Sequence, residues 1–203
     1  MPQPKTITHP KQLLVEGRDG VAFFAAWLKQ LGLGEIQIQN FGGITELRPF
    51  LKALRNEPGF EEQVTSLGII RDAETNPQGA FQSVRDALRA SGLPASEKAE
   101  VVENGQPQTV ILILPNATTP GMLETLCLES VASEPAIQCV DQYFDCLNQQ
   151  IGFSPTNIPK ARLHAFLSGK PKPGLRVGDA ASAGYFPWDH PAFDHIRQFL
   201  LNL

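Results

Sequence analysis

The sequence is poor in several features that would place it quickly. It has 3 cysteines, Cys127, Cys139 and Cys146, spaced too widely for a structural zinc site or a redox pair, so they are expected to be reduced packing residues. No apolar run approaches the roughly 20 residues that cross a bilayer. Met1 to Pro10 carries no apolar leader stretch either, so a cytoplasmic protein with no membrane association is expected. An excess of positive charge is also missing. The formal net charge of −4 exerts no general pull on nucleic acid, and any such binding needs a local basic surface or bridging cations. Gly42-Gly43 is not followed by the lysine and hydroxyl of a P-loop, so nucleoside-triphosphate hydrolysis has no support.

What is present is an ordinary globular composition, 42% hydrophobic and 19% charged over 203 residues, enough for one main core. Gln12-Leu13-Leu14-Val15 is a short buried strand, and from Asp19 the pattern turns helical with Val21, Phe24, Leu28 and Leu31 on one stripe, ended by Gly32. Ile36 and Ile38 alternate with glutamines as a second strand, followed by a helix capped near Thr45 that turns Leu47, Phe50, Leu51 and Leu54 inward. Leu67-Gly68-Ile69-Ile70 is a third strand, and Phe81, Val84 and Leu88 mark the helix after it. Alternation of this kind predicts an α/β domain with a mostly parallel sheet and helices on both faces. Residues 100–103 and 110–114, joined through Asn104-Gly105-Gln106-Pro107, have the pattern of a hairpin that adds an antiparallel strand and makes the sheet mixed. Beyond Leu114 the chain turns helical around 122–130, 137–151, 158–167 and 193–203, with an exposed loop at 170–178. The expected organisation is an α/β core over 1–132 with a helical flank over 133–203 packed on it.

In a parallel α/β sheet, ligands sit outside the carboxyl ends of the strands, and Glu16 and the Asp72/Glu74 pair fall just past two such ends. If the chain stays extended after the third strand, Asp72 and Glu74 point to one side, as a shared cation requires. Hard oxygen donors favour Mg²⁺ or Mn²⁺. Each acid also has an ordinary role open to it, since carboxylates commonly cap the helix after a buried strand, and Asp19 suits that role well. His190 and His195 are five apart with Pro191 between them, which favours capping and surface roles over a metal pair.

Together Leu14-Val15-Glu16-Gly17, Asp19, the Gly42-Gly43 turn and Asp72-Ala73-Glu74 resemble the signature of the topoisomerase–primase (Toprim) domain. The order of motifs is similar to the overcoming-lysogenization-defect (OLD) nuclease branch and to small related families of unknown function, the one numbered 3226 in particular. The resemblance implies a Rossmann-like Toprim sheet over roughly the first two-thirds of the chain. It implies that Glu16, Asp19, Asp72 and Glu74 bind Mg²⁺ or Mn²⁺, with Glu16 and Asp72 catalytic. It also makes Glu124 a candidate for a second metal and Lys160 the basic residue brought to the scissile phosphate. Both have plainer alternatives: a glutamate in the first turn of a helix is favoured by the helix dipole, and a lysine there is commonly solvated. The sequence departs from the family where Glu74 stands in place of the usual aspartate. The 2 tyrosines, Tyr143 and Tyr185, lie outside any matching module, so strand passage is not expected.

Lys170, Lys172 and Arg176 form a basic loop able to touch phosphates, although such loops are often simply solvated. The expected function is divalent-metal-dependent nuclease or related phosphodiester chemistry on DNA or RNA, with a protein partner such as an ATPase, because OLD nucleases carry one. The rival is a Toprim-like module that binds metal, nucleic acid or protein without cleavage, which the acidic net charge and the Asp-x-Glu departure favour.

Overall fold

The computed structural model describes residues 2–203. Strand β1 (Lys11–Glu16) leads into helix α1 (Gly17–Leu31), β2 (Ile36–Gly42), α2 (Ile44–Arg55), the single turn α3 (Phe60–Gln63), β3 (Ser66–Asp72) and α4 (Pro77–Ala90). β4 (Gln108–Leu114) follows, then α5 (Leu123–Ser130), α6 (Pro135–Ile151), α7 (Ile158–Ser168), α8 (Val177–Ser182), a short 3₁₀ turn at Pro191–Phe193 and α9 (Asp194–Asn202). The sheet runs β2-β1-β3-β4 with every pairing parallel. β1, β3 and β4 are buried along most of their length because both faces of the sheet are covered.

Successive side chains alternate between two cores. Leu13, Val15, Ile70, Leu112 and Leu114 enter one, with α1, α5, α7 and α9 above them. Leu14, Ile69, Ile111 and Ile113 enter the other, against Leu47, Phe50, Leu51 and Leu54 of α2 and Phe81, Val84 and Leu88 of α4. The first core holds an aromatic group in which Trp27 stacks on Trp188, ring centres 5.2 Å apart, with Phe23 and Phe193 edge-on to the pair.

Three expectations change. The antiparallel strand is not formed: β4 pairs parallel to β3, and residues 100–107 meet it through the isolated bridge Glu103–Thr109 and one bond from the Glu100 N–H to the Ile111 carbonyl. A left-handed backbone at Glu100 (φ 62°) breaks the extended run, and Val101 and Val102 stay exposed, so apolar burial does not drive a ladder there. The buried stripe of α1 is rotated, with Phe23 and Trp27 joining Phe24 and Leu28, because Phe186, Trp188 and Phe193, as well as the sheet, cover α1. Helix α8 falls at the end of the expected loop. It approaches α1 so closely that a Cβ on Gly178 would lie 2.2 Å from that of Ala22. Of the cysteines only Cys127 is buried; Cys139 and Cys146 are free and exposed. Among the described residues no helix is long and apolar enough to cross a membrane.

Candidate functional site

The strand order fixes where a site can form. From β1 the chain crosses to β2 on one flank, and it then returns to β3 on the other, so the crossovers diverge between the carboxyl ends of β1 and β3. Glu16 closes β1 and Asp72 closes β3 at that point. A cavity of about 200 Å³ opens there, lined by Glu16, Asp19, Asp72, Glu124, Arg18, Arg71 and Lys160 among others.

Each acid arrives by a different local route. A register shift between Val15 and Glu16 pairs Glu16 with Gly42 at the carboxyl end of β1, where its side chain lines the cavity. Asp72, opposite Leu114, accepts a hydrogen bond through Oδ1 from the Leu123 N–H at 2.9 Å, at the start of α5 where the helix dipole favours negative charge. Asp19 lies in the first turn of α1 and Glu124 in the first turn of α5. Lys160, in the first turn of α7, brings Nζ to 3.9 Å from Glu124 Oε1 while half its side chain stays exposed.

The cluster is electrostatically loaded. Burial, then the charges of Glu124 and Glu16, push the Asp72 carboxyl up to about 8 against the pull of the Leu123 N–H. Burial also raises Glu16, opposed by the Arg71 guanidinium. The Cys127 thiol, one turn further along α5, is raised well above its usual value by burial and then by Glu124 and Asp72. Buried carboxylates that repel one another favour the proton, Arg71 offsets only part of this at Glu16, and a divalent cation would relieve it.

The remaining expected residues stand elsewhere. Glu74 adopts a left-handed backbone (φ 52°) and pairs antiparallel with Gly121, so the run after Asp72 is not extended and Glu74 is exposed outside the cavity lining. Its charge still reaches inward, raising both Glu16 and Asp72. Lys170 forms a 2.6 Å ion pair with Glu134 and sits 4.3 Å from the Phe166 ring centre, Lys172 donates its backbone N–H to the Tyr185 hydroxyl, and Arg176 precedes α8. None of the three lines the cavity. His190 caps the 3₁₀ turn through the Ala192 N–H, and His195 Nε2 lies 2.9 Å from the Pro115 carbonyl oxygen.

Arg18 and Arg71 are cavity residues the sequence did not single out. Arg71 precedes Asp72 on β3, and alternation sends its side chain toward α4, yet at the strand end it also reaches the cavity.

As the side chains stand, no group of three or more His, Cys, Asp and Glu among the described residues is gathered tightly enough to hold a metal ion by itself. The donor set nevertheless suits Mg²⁺ or Mn²⁺, which bind through one or two carboxylates and keep several waters. Glu16, Asp72 and Glu124 offer only hard oxygen, and their mutual repulsion is the charge such an ion would neutralise.

Residues 10–203 match the model of a family described as a protein of unknown function, DUF3226. No curated protein and no solved structure matches.

Proposed function

We propose, for a chain that belongs to the DUF3226 family, that the cavity at the ends of β1 and β3 is a Toprim-like site for divalent-cation-dependent hydrolysis of nucleic-acid phosphodiesters. The observation that carries this reading is the convergence of Glu16, Asp72 and Glu124 from three separate elements on one cavity at the topological switch point, with the Asp72 carboxyl raised to about 8. Glu16, Asp72 and Glu124 would hold Mg²⁺ or Mn²⁺, with Asp19 at the rim and Glu74 adding negative charge from outside the lining. When bound, such an ion activates water and offsets charge developing on a phosphate.

The chain's own residues supply the rest. The Leu123 N–H keeps one Asp72 oxygen fixed, leaving the other for the cavity. The Lys160 ammonium, half exposed on α7 and 3.9 Å from Glu124 Oε1, would offer its positive charge to an incoming phosphate. With a net charge of −4, the bridging cation and these local bases would have to bring nucleic acid in. The same acidic charge supports a second reading, a module that binds metal, nucleic acid or a protein partner such as an ATPase without cutting.

Purified protein incubated with supercoiled plasmid and with structured RNA, in Mg²⁺, Mn²⁺ or chelator and beside Glu16→Ala, separates the two. Cleavage that needs the cation and falls at least a hundredfold in Glu16→Ala is expected. Cation-dependent binding without cleavage selects the second reading, and cleavage that survives chelator and Glu16→Ala overturns the first.

A further inference from the structure

The Arg71 guanidinium is held in an unusual way. Its Nη1 donates to the Ala80 carbonyl at 3.0 Å and also to the Ser83 hydroxyl, which itself donates to Ala80 O at 3.1 Å. These are neutral acceptors on α4, and they fix the plane of the group. Its Nε is buried and has no hydrogen-bond partner. The nearest charge is Glu16 Oε2 at 4.0 Å, beyond the 2.7–3.2 Å usual for an N–H···O bond. Arg85 and Arg162 also bury an Nε without a partner, but each spends its outer nitrogens on an acid, Glu97 and Asp141 respectively. Among the described residues Arg71 has Glu16 as its one ion-pair partner, and the hydrogen bond between them is open.

A buried donor left unmade costs free energy, so a native structure needs a reason to keep one. Among the described ion pairs of Arg71, Glu16 is the acceptor that can complete it, and Glu16 also lines the acidic cavity. We propose that Arg71 is a positioning residue whose braced Nε–H closes onto Glu16 Oε2 when a divalent cation draws the other Glu16 oxygen into the cavity. One carboxylate is then shared between a fixed guanidinium and the ion, with its rotamer set by α4. The inference rests on the cation-binding part of the function proposed above and does not require cleavage.

A positioning role and simple charge balance predict opposite signs. If Arg71 only offsets negative charge, removing it makes the cavity more attractive to a cation, and Mn²⁺ binds more tightly. If it positions Glu16, Mn²⁺ binds more weakly both in Arg71→Met and in Arg71→Lys, which keeps the charge but loses the planar fork. The expected loss is about tenfold in Kd, the scale of one charge-assisted hydrogen bond. Ser83→Ala, which leaves Arg71 in place and loosens the brace, should weaken Mn²⁺ about threefold beyond the small fall in chelator melting temperature that its lost hydrogen bonds bring.

Calorimetric Mn²⁺ titration of wild type and the three variants reads this directly, and the Arg71 Nε–H resonance should exchange more slowly with solvent once Mg²⁺ is added. Equal or tighter Mn²⁺ binding by folded Arg71→Met, or by Ser83→Ala should the Arg71 variants not fold, overturns the positioning role while leaving the proposed function standing. Wild-type protein that binds Mn²⁺ but cuts nothing overturns the nuclease reading alone. Wild-type protein that binds no divalent ion overturns both.

Discussion

Replacing Asp72 by asparagine tests whether the cavity is built for a cation or only for folding. The Asp72 carboxyl titrates near 8 in the folded chain against an ordinary value of 3.8. Because the folded value is the higher one, the group favours folding most below pH 3.8, and that contribution is lost as pH rises through about 8. At pH 7 the loss spans roughly three pH units at about 1.36 kcal/mol each, an upper bound of about 4 kcal/mol. Asparagine has no charge to bury and keeps an oxygen for the Leu123 N–H, but its amide hydrogens must find partners at a cost of about 1–3 kcal/mol. The net gain for Asp72→Asn in chelator at pH 7 is therefore about 2 kcal/mol, or ~4–8 °C in Tm for a domain of this size. The gap should close at about pH 5, reverse by pH 4, where only the amide cost remains, widen to pH 8 and then level off. Added Mg²⁺ at a hundred times its Kd should raise the wild type by about 2.7 kcal/mol and Asp72→Asn by much less. Thermal melts across pH, with chelator and with excess Mg²⁺, supply every arm. If Asp72→Asn is simply about 1 kcal/mol less stable at every pH, and the wild type ignores Mg²⁺, Asp72 only caps α5 and the cation reasoning fails.

Two further substitutions probe the scaffold. Gly178→Ala should lower stability by about 1–3 kcal/mol, because its Cβ would meet that of Ala22 at 2.2 Å and force α8 off α1; an unchanged midpoint in urea would show that the contact yields freely. Gln39→Leu removes the acceptor of the Lys5 N–H and the donor to Gln12 Oε1 in a buried network, so about 1–3 kcal/mol should be lost in chemical denaturation. Converting Gln12 to leucine as well should deepen the loss, because Gln12 Nε2 also donates to the His9 carbonyl and to Gln37 Oε1, and no loss in the single variant refutes the network's role.

Much of the frame was legible because burial imposes a period. Leu47, Phe50, Leu51 and Leu54 announce α2 and all point into its core, and the runs at β1 and β3 announce parallel neighbours. Glu16 and Asp72 could be placed at strand ends from the same pattern, since an acid just after an apolar run marks where the chain meets solvent. What stayed hidden depends on single backbone torsions or on partners distant in sequence. The left-handed turns at Glu74 and Glu100 reverse the expectations for the paired acids and the hairpin, and neither residue type announces a positive φ. The bond from Leu123 to Asp72 spans 51 positions, and the brace from Arg71 to α4 joins side chains no local motif connects.

The bridge between Glu74 and Gly121 also constrains how this fold can vary. Its two backbone hydrogen bonds, both 2.8 Å, tie the loop after β3 to the loop before α5. Gly121 adopts φ 145°, where a Cβ would also press on Pro115 and Thr125. Surface loops ordinarily absorb insertions at little cost, because closure entropy grows slowly with length. Here a residue added to either loop would shift the register of the pair and displace Asp72 or Glu124 relative to its counterpart. The two segments therefore form one unit of change, in which lengthening one demands a matching adjustment in the other.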